Sequence, residues 1–331
     1  MQLTLDGDVV RAGSRARERF YDSRGYGRAR DGDLDLAPVE AAHLCYRGDI
    51  DAVDGMGVQE LLASGAVSAV DFLVYKDLRD RGFYLTPARE GWVDDPVGVD
   101  FVVYPRGKGP WDDAVAHRVR VVGERDDVPA ASLGECVLAV VDEESELTYL
   151  DTGRRSIEGT SAADVPEVHG TLLAERVLCW DPPETLYQQA FYGQRLDEDA
   201  VQLSLVEAAY MAREGVLSVD GGESAVVERG RDVEGERFDR RLAVYAALRD
   251  SGVVPKTGFK FGADFRTYAD VESVDDLGHS ELLVRVVPAD HHFEPRDLAL
   301  DVRLAHGVRK TMVFALVGDG IEWVQVERLT P

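Results

Sequence analysis

The chain has 331 residues, which is long for a single domain and predicts two or more units with cores of their own. It carries 62 acidic and 37 basic residues, a net charge of −25, and only five of the basic residues are lysines. No apolar run reaches the ~20 residues of a membrane helix, and the N-terminus lacks a signal-peptide pattern. We therefore expect a cytoplasmic protein with no membrane partner. Three widely spaced cysteines argue against a disulfide framework or a cysteine metal site.

The acidity has two interpretations. Taken alone it argues against a nucleic-acid partner, because phosphate contacts need cations. Alternatively, an excess of Asp and Glu with little Lys is an adaptation of the whole surface to a salt-saturated cytoplasm, as expected in a halophilic archaeon. At 1 M salt the Debye length is only ~3 Å, so like charges on the surface are screened from one another. On this second interpretation the local charge, not the net charge, indicates the ligand.

The first half of the chain predicts helices and strands in a fixed order. A short strand at Val9-Val10 and a helix are followed by a second helix that contains the motif VEAA (39–42). The next helix contains YKDLRD (75–80) and ends at Gly82, a left-handed C-terminal glycine. Strands are then predicted at 100–104, 118–122 and 137–141.

The second half predicts the same order with one addition. A strand at 177–180 precedes a VEAA helix (206–209) and a helix at 242–249 that ends at Gly252. The predicted strands are 259–268, 281–287, 311–317 and 321–327. The addition is a helix at 297–306, for which Gly307 is the predicted stop.

Sequence matches between the halves occur in the same order. They are FYDSRGYG (20–27) with LYQQAFYG (186–193), LAPVEAAHL (36–44) with LSLVEAAYM (203–211), LRDRG (78–82) with LRDSG (248–252), and DFVVY (100–104) with DFRTY (264–268). Their offsets, 186 − 20 = 166, 203 − 36 = 167, 248 − 78 = 170 and 264 − 100 = 164, predict a duplicated unit of about 165 residues. The segment GTSAADVPEVHG (159–170) has the composition of a linker between the copies. The pattern predicts an α+β fold that consists of a tandem duplicated unit.

The two copies differ at a position where only the second has a cationic side chain. Tyr104 and His117 are placed roughly as Tyr268 and His279 are. However, the first copy has Glu135-Cys136 where the second has Arg309-Lys310, and it lacks the segment VRLAHGVRK. If the chemistry needs a cation at that point, only the second copy can perform it.

Tyr268, His279 and Lys310 form a set suited to RNA cleavage without a metal. Each is predicted near the end of a strand, and adjacent strand ends can bring side chains together at one edge of a sheet. One group would take the proton of a ribose 2′-hydroxyl, another would protonate the leaving 5′-oxygen, and a cation would stabilise the charged phosphate between them. Histidine titrates near cellular pH, whereas a tyrosine needs a nearby cation to act as a base.

Each of these residues also has a common structural interpretation. A tyrosine after a strand often packs half-buried, a histidine in a Gly-His-Ser turn often bonds to the backbone, and a lysine at a strand edge often protects that edge. The scarcity of lysine favours a specific role for Lys310, because a surface cation in this chain is usually an arginine.

The segments FKFGADFRTYADV, HSELLVRVVP and VRLAHGVRKTMVFAL closely resemble the catalytic region of archaeal tRNA-splicing endonucleases. The resemblance is to the homodimeric type, in which each chain carries a degenerate copy and an active copy. It implies that each copy has an N-terminal α/β subdomain followed by a mixed-sheet, nuclease-like α/β subdomain. The implied bounds are 1–70 and 71–160 (non-catalytic) in the first copy, and 166–240 and 241–331 (catalytic) in the second.

The resemblance also implies the reaction and its residues. Precursor tRNA is cleaved at bulge–helix–bulge exon–intron junctions without a metal or cofactor, leaving a 2′,3′-cyclic phosphate and a 5′-hydroxyl. Tyr268 would be the general base, His279 the general acid and Lys310 the stabilising cation. Arg303 and Arg328 would clamp a bulge base between their guanidinium planes.

The implied homodimer has a candidate contact in the last hairpin loop of the first copy. In the family an acidic loop of the non-catalytic unit inserts into a basic groove of a catalytic unit. The matching residues here are Asp142, Glu143, Glu144 and Glu146, although in so acidic a chain a solvated turn is an equally good interpretation.

Two further alternatives stay open. Asp290, His291, His292 and Glu294 could bind a metal by composition, but a cluster before Pro295 is more typical of an exposed loop. The whole chain could instead be a non-catalytic RNA-binding subunit of a splicing endonuclease. The retention of Tyr268, His279 and Lys310 together argues against that alternative.

Overall fold

The computed structural model describes residues 3–331 and has a mixed α/β fold with several mixed sheets. Within that range no helix is long and apolar enough to cross a membrane. Residues 3–63 form a small sheet with strand order β1-β2-β4-β3 and the helices beside it. These elements are β1 (Leu3–Asp6), β2 (Val9–Ala12), α1 (Ser14–Ala16), a π-helical turn (Arg17–Tyr21), α2 (Asp22–Arg24), β3 (Arg28–Arg30), β4 (Asp33–Leu36), α3 (Pro38–Tyr46) and α4 (Val58–Ala63).

The rest of the first copy contributes to a larger sheet. Its elements are α5 (Ala69–Asp80), β5 (Leu85–Pro87), β6 (Phe101–Val103), β7 (His117–Gly123), β8 (Val128–Pro129), a 3₁₀ turn (Ala130–Ser132), β9 (Val137–Val141) and β10 (Leu147–Arg154). The segment predicted as a linker is not free of the rest of the chain. The backbone N–H groups of Gly159 and Ser161 donate to the carbonyls of Ser251 and Gly252, at 2.8 and 2.9 Å.

The second copy begins with another small sheet, of strand order β13-β14-β12-β11-β15. Its elements are β11 (Val168–Leu172), β12 (Arg176–Trp180), α6 (Glu184–Gln188), β13 (Gln194–Arg195), β14 (Ala200–Ser204), α7 (Leu205–Arg213), β15 (Leu217–Ser218) and α8 (Gly222–Glu234). The remaining elements are α9 (Glu236–Asp250), β16 (Val254–Thr257), β17 (Phe265–Tyr268), β18 (Leu282–Pro288), β19 (His292–Phe293), α10 (Pro295–Gly307), β20 (Thr311–Val317) and β21 (Ile321–Leu329). Short 3₁₀ turns at Phe259–Phe261 and Val274–Asp276 lie before and after β17.

One ten-stranded sheet joins the two copies. Its order is β16-β17-β18-β20-β21-β10-β9-β7-β6-β5, so the five strands of the second copy mirror the five of the first. The centre is the antiparallel pair β10–β21, in register from Tyr149 opposite Leu329 to Arg154 opposite Val324. In each half one parallel pair, β18–β20 or β7–β9, lies between antiparallel ones. This parallel pair places the starts of two strands at the same end of the sheet.

Helices cover the two faces of this sheet differently. On one face of the second copy, α9 packs against β17, β18 and β20 through residues such as Leu242, Tyr245 and Phe265. On the other face, α10 packs Leu298 and Val302 into a core shared with strands of both copies. The first copy has a 3₁₀ turn at Ala130–Ser132 before β9 where the second has α10.

One strand boundary and the turn after one helix differ from the sequence predictions. In the segment 259–268, predicted as one strand, Phe259–Phe261 form a 3₁₀ turn that ends at the left-handed Gly262, and only Phe265–Tyr268 are a strand, β17. Helix α10 ends at Gly307, as predicted, but Gly307 is not the left-handed residue of the turn that follows. That residue is Arg309, with φ = 57°. By contrast, Gly82 and Gly252 are the predicted left-handed glycines after α5 and α9, with φ = 88° and 74°.

Candidate functional site

The three predicted catalytic residues lie at the same end of the large sheet. Tyr268 is the last residue of β17, His279 lies three residues before β18, and Lys310 directly precedes β20. In the sheet Leu282 of β18 is opposite Thr267 of β17 and Thr311 of β20. Because β17 runs antiparallel to β18 and β20 runs parallel to it, the end of β17 meets the starts of the other two strands.

Lys310 is held by the turn that ends α10. The Lys310 N–H donates to the carbonyl of Ala305 and the Arg309 N–H to that of His306, both at 3.0 Å, which is a Schellman motif. The Lys310 ammonium donates to the carbonyl of Ser280, the residue after His279. Partial burial, and then the nearby guanidinium of Arg266, lower the pKa of Lys310 below its ordinary value. Both ends of the lysine are thus fixed, and its ammonium lies at the backbone of the residue after His279.

Tyr268 is packed from the second copy's N-terminal part. It is only 6% exposed, and its ring meets that of Phe191 edge-on with ring centres 5.7 Å apart. The guanidinium carbon of Arg266 lies 5.7 Å from the centre of the Tyr268 ring. Tyr268 therefore fits both interpretations made from the sequence: its ring is packed, as in a structural tyrosine, and it ends the strand beside a cation, as a base would need.

A buried ion pair holds the loop that carries Phe191. The ammonium of Lys256 donates to the carbonyls of Phe191 and Gly193, at 3.2 and 2.6 Å, and to the carboxylate of Glu207 at 3.1 Å. Burial alone would raise the pKa of Glu207, but Lys256 and two backbone N–H donors lower it overall. Burial in turn lowers the pKa of the Lys256 ammonium, and Glu207 opposes that shift. The pair links α7 to β16 and so sets the wall behind Tyr268.

His279 is exposed on the loop between Gly278 and the buried Ser280. No hydrogen bond of its imidazole is found within residues 3–331. Its ring is therefore available to a ligand at the edge where Tyr268 and Lys310 lie.

Of the two predicted base-clamping arginines, Arg328 lines a depression together with Lys310, and Arg303 lies on the helix beside that depression. Arg328, on β21, lines a depression of about 640 Å³ together with Lys310, His306 and Arg309. Arg303 is exposed on α10, whose neighbouring residues Val302 and His306 line the same depression. Lys310 and three other basic side chains, together with Glu327, thus line an open surface at the end of α10.

The predicted assembly loop is a tight turn between β9 and β10. The half-buried carboxylate of Asp142 accepts from the backbone N–H groups of Glu144 and Glu146, at 2.9 and 2.8 Å. Glu143 forms an ion pair with Arg125. Asp142 therefore braces the loop, while the side chains of Glu144 and Glu146 are exposed at its tip.

Strand register identifies the counterparts of the site in the first copy. Phe101, Val119 and Val137 are mutual neighbours on β6, β7 and β9, as Phe265, Val284 and Val313 are on β17, β18 and β20. Tyr104 is then the counterpart of Tyr268, and its hydroxyl donates to Thr86 at 3.0 Å. His117 corresponds to Leu282 rather than to His279, three residues away from the position predicted for it.

The register also corrects the counterpart of Lys310. It is Gly134, and Glu135 and Cys136 correspond to Thr311 and Met312. The sequence comparison was wrong by two residues because the α10 segment has no equivalent from which to count. Its conclusion still holds in the structure, since the first copy has no cation at this position.

The cluster considered for a metal has a different environment. His292 bonds to Asp127 of the first copy at 2.7 Å, and β19 pairs with β8 across the two copies. Within the described residues no group of three or more His, Cys, Asp or Glu side chains could hold a metal ion.

Several residues of the site were missed by the sequence analysis. Phe191 packs against Tyr268 from another element, and the ammonium of Lys256 lies 4.6 Å from the centre of the Phe191 ring; no spacing in the sequence indicates either contact. Arg266 had a signal that was not used, since it is the first difference between DFRTY and the matching DFVVY.

Comparison with known proteins adds a family. The model of the tRNA intron endonuclease N-terminal domain matches residues 1–62 and 168–229, and that of the tRNA intron endonuclease catalytic C-terminal domain matches 238–323. The chain is 76% identical to a tRNA-splicing endonuclease of Haloarcula marismortui and 64% identical to one of Natronomonas pharaonis, over the full length of both chains in each case. It is 38% identical to a tRNA-splicing endonuclease of Methanosarcina acetivorans, over 99% of each chain.

Proposed function

The chain belongs to the tRNA intron endonuclease family, and from that premise we propose how its own residues cleave RNA. It is an endonuclease that cleaves introns from tRNA, of a type found in halophilic archaea. The observation that carries the mechanism is the meeting of Tyr268, His279 and Lys310 at one sheet edge, inside the segment matched by the catalytic model.

The proposed reaction is a transesterification at the exon–intron junction, without a metal. Tyr268 accepts the proton of the 2′-hydroxyl, whose oxygen attacks the neighbouring phosphorus. The bond from phosphorus to the 5′-oxygen breaks, and His279 gives its proton to that oxygen. The products are a 2′,3′-cyclic phosphate and a 5′-hydroxyl. Lys310 stabilises the additional negative charge on the phosphate in the transition state.

The substrate is a precursor tRNA whose junctions form a bulge–helix–bulge. Arg303 and Arg328 bind an unpaired bulge base by stacking their guanidinium planes on it. The support for this role is the exposure of both side chains, with Arg328 lining the depression next to Lys310 and Arg303 following Val302, which also lines it. Stacking suits a protein of net charge −25 at high salt, because screening and a weak counterion gain leave little long-range attraction.

We further propose that two chains assemble into a homodimer, with Glu144 and Glu146 of one chain reaching the basic surface of the other. The support is their exposure on a loop that Asp142 holds in shape. The four-part division into 1–70, 71–160, 166–240 and 241–331 belongs to the same proposal, with the fourth part catalytic.

A cleavage assay with the purified chain tests the mechanism. In molar KCl with EDTA, the wild type should cleave a bulge–helix–bulge RNA to cyclic-phosphate and 5′-hydroxyl ends. Lys310→Ala should lose ~10²-fold or more in rate while still binding the RNA, and Lys260→Ala, a change at an exposed lysine of the same copy, should not. Activity that depends on added divalent metal would refute the metal-free mechanism. A chain that binds the RNA but never cuts it would be a non-catalytic subunit instead.

A further inference from the structure

A second cation of the catalytic edge, Arg266, has no role in the function described so far. It lies on β17 two residues before Tyr268, so both side chains point to the same face of the sheet. Its guanidinium carbon is 5.7 Å from the centre of the Tyr268 ring. It is also close enough to Lys310 to contribute, after burial, to the lowered pKa of that lysine.

Arg266 has no anionic partner in the part of the chain that the structure describes. None of the ion pairs formed among residues 3–331 includes it, and its Nε atom is buried without a hydrogen-bond partner. The nearby Lys256 is already neutralised by Glu207. A half-buried guanidinium that faces two ammonium groups is unfavourable unless an anion occupies the space between them.

The geometry around Arg266 is open to a ligand. Arg266 lines a recess of about 430 Å³ with Lys256, Phe191 and Gln194, between the second small sheet and the large one. Lys310 lines the separate depression that contains Arg328. Arg266 is thus reachable from an opening of the surface, and Lys310 from another.

The first copy provides an internal comparison. By strand register the counterpart of Arg266 is Val102, as that of Lys310 is Gly134. The first copy thus has the tyrosine, as Tyr104, but neither the arginine nor the lysine. A purely structural arginine at this place in the sheet is therefore not required by the fold.

We propose that Arg266 is a further substrate-contacting residue, whose guanidinium binds a non-bridging oxygen of the phosphodiester that is cleaved. This rests on the cleavage function proposed above. A guanidinium presents paired N–H donors that match two phosphate oxygens, whereas the ammonium of Lys310 acts as a point charge. Arg266 would hold the phosphate beside Tyr268, and Lys310 would stabilise it from the other side.

Single-turnover cleavage of a bulge–helix–bulge RNA in molar KCl tests this assignment. Arg266→Gln should slow cleavage by ~10²–10³-fold, the usual loss for one preorganised charge donor. Arg266→Lys should recover part of the rate, because it restores the charge but not the fork. The control Arg296→Gln, at an exposed arginine of α10 paired with Glu294, should cleave like the wild type. Thermal melting should show that all variants are folded.

Two comparisons make the outcome decisive. If Arg266→Gln cleaves at the wild-type rate while Lys310→Ala does not, the role of Arg266 is refuted and the proposed site stands. If Lys310→Ala is also unaffected, the proposed site itself fails. In addition, sulfur in place of a non-bridging oxygen at the cleaved phosphate should slow the wild type more than Arg266→Gln. If the slowing by sulfur depends on Arg266 only when the sulfur is at a neighbouring phosphate, Arg266 does not bind the phosphate that is cleaved.

Discussion

The buried pair of Lys256 and Glu207 offers a sharp test, because the two copies differ at this pair. The VEAA glutamate is buried in both copies, as Glu40 and Glu207. By strand register the counterpart of Lys256 is Thr86. The first copy thus has no lysine at this position, and burial raises the pKa of Glu40 to about 7, although the backbone N–H groups of Ala37 and Gly27 oppose the shift.

We predict that Lys256→Thr gives the second copy the properties of the first. The change leaves the carboxylate of Glu207 buried and unpaired, which costs about 3–5 kcal/mol at pH 8. The melting temperature should then fall by roughly 6–20 °C. The carbonyls of Phe191 and Gly193 also lose their donor, so the wall behind Tyr268 loosens and cleavage should slow by up to ~100-fold.

The pH dependence has a definite sign. In the wild type the pKa of Glu207 is lowered on folding, so its contribution is present above the unfolded value near 4.3 and is lost as the pH falls. In Lys256→Thr we expect a raised pKa, as in Glu40. The contribution of Glu207 would then be complete below pH 4.3 and lost as the pH rises through about 7. The deficit of the variant should therefore be largest at pH 8 and shrink towards pH 5.

Denaturant unfolding at pH 5 and pH 8 in molar KCl measures this deficit. Lys260→Thr, an exposed change four residues away, is the matched control and should leave stability unchanged at both pH values. Equal stability of Lys256→Thr and wild type at pH 8 would refute the reasoning. So would a deficit of the same size at both pH values.

Three further predictions concern the site and the assembly. Arg309 is a left-handed residue that positions Lys310. Arg309→Gly should therefore leave the free energy of unfolding unchanged or raise it by up to ~1 kcal/mol, whereas Arg309→Val should lower it by ~1–2 kcal/mol and slow cleavage. A denaturant titration and a cleavage assay distinguish the two variants. His279→Gln should reduce single-turnover cleavage by ~10²–10⁴-fold with little change in RNA binding, and equal rates would remove it from the site. Replacing Glu144 and Glu146 together by Gln should weaken the proposed dimer in light scattering at high salt, whereas an unchanged mass would show that the loop is not the contact.

The helices and strands of both copies were largely predictable because their signals are local. Gly82 and Gly252 end their helices as expected, and the apolar run at 311–317 is a strand. The conformation of the turn after α10 was not predictable, since Arg309 takes the left-handed conformation although Gly307 lies two residues before it. What decided that turn is the pair of Schellman hydrogen bonds that carries the chain into β20.

The candidate site was predictable only in part, for a similar reason. Tyr268, His279 and Lys310 meet because β18 lies between an antiparallel and a parallel neighbour, and strand order is a long-range property. The contact of Phe191 with Tyr268 depends on how the second small sheet packs on the large one, which no periodicity in the chain encodes. By contrast, the difference between Arg266 and Val102 was visible in the aligned motifs, and the structure added only where Arg266 lies relative to Tyr268.

The first copy differs from the proposed catalytic edge at more than one cation. At the three positions where the second copy has Lys256, Arg266 and Lys310, the first has Thr86, Val102 and Gly134. Restoring the last cation alone is also obstructed by the backbone. Gly134 has φ = 114°, and a Cβ there would approach the Cγ atom of Arg154 to 2.8 Å. Gly134→Lys should therefore strain the turn before β9 instead of creating a second catalytic edge.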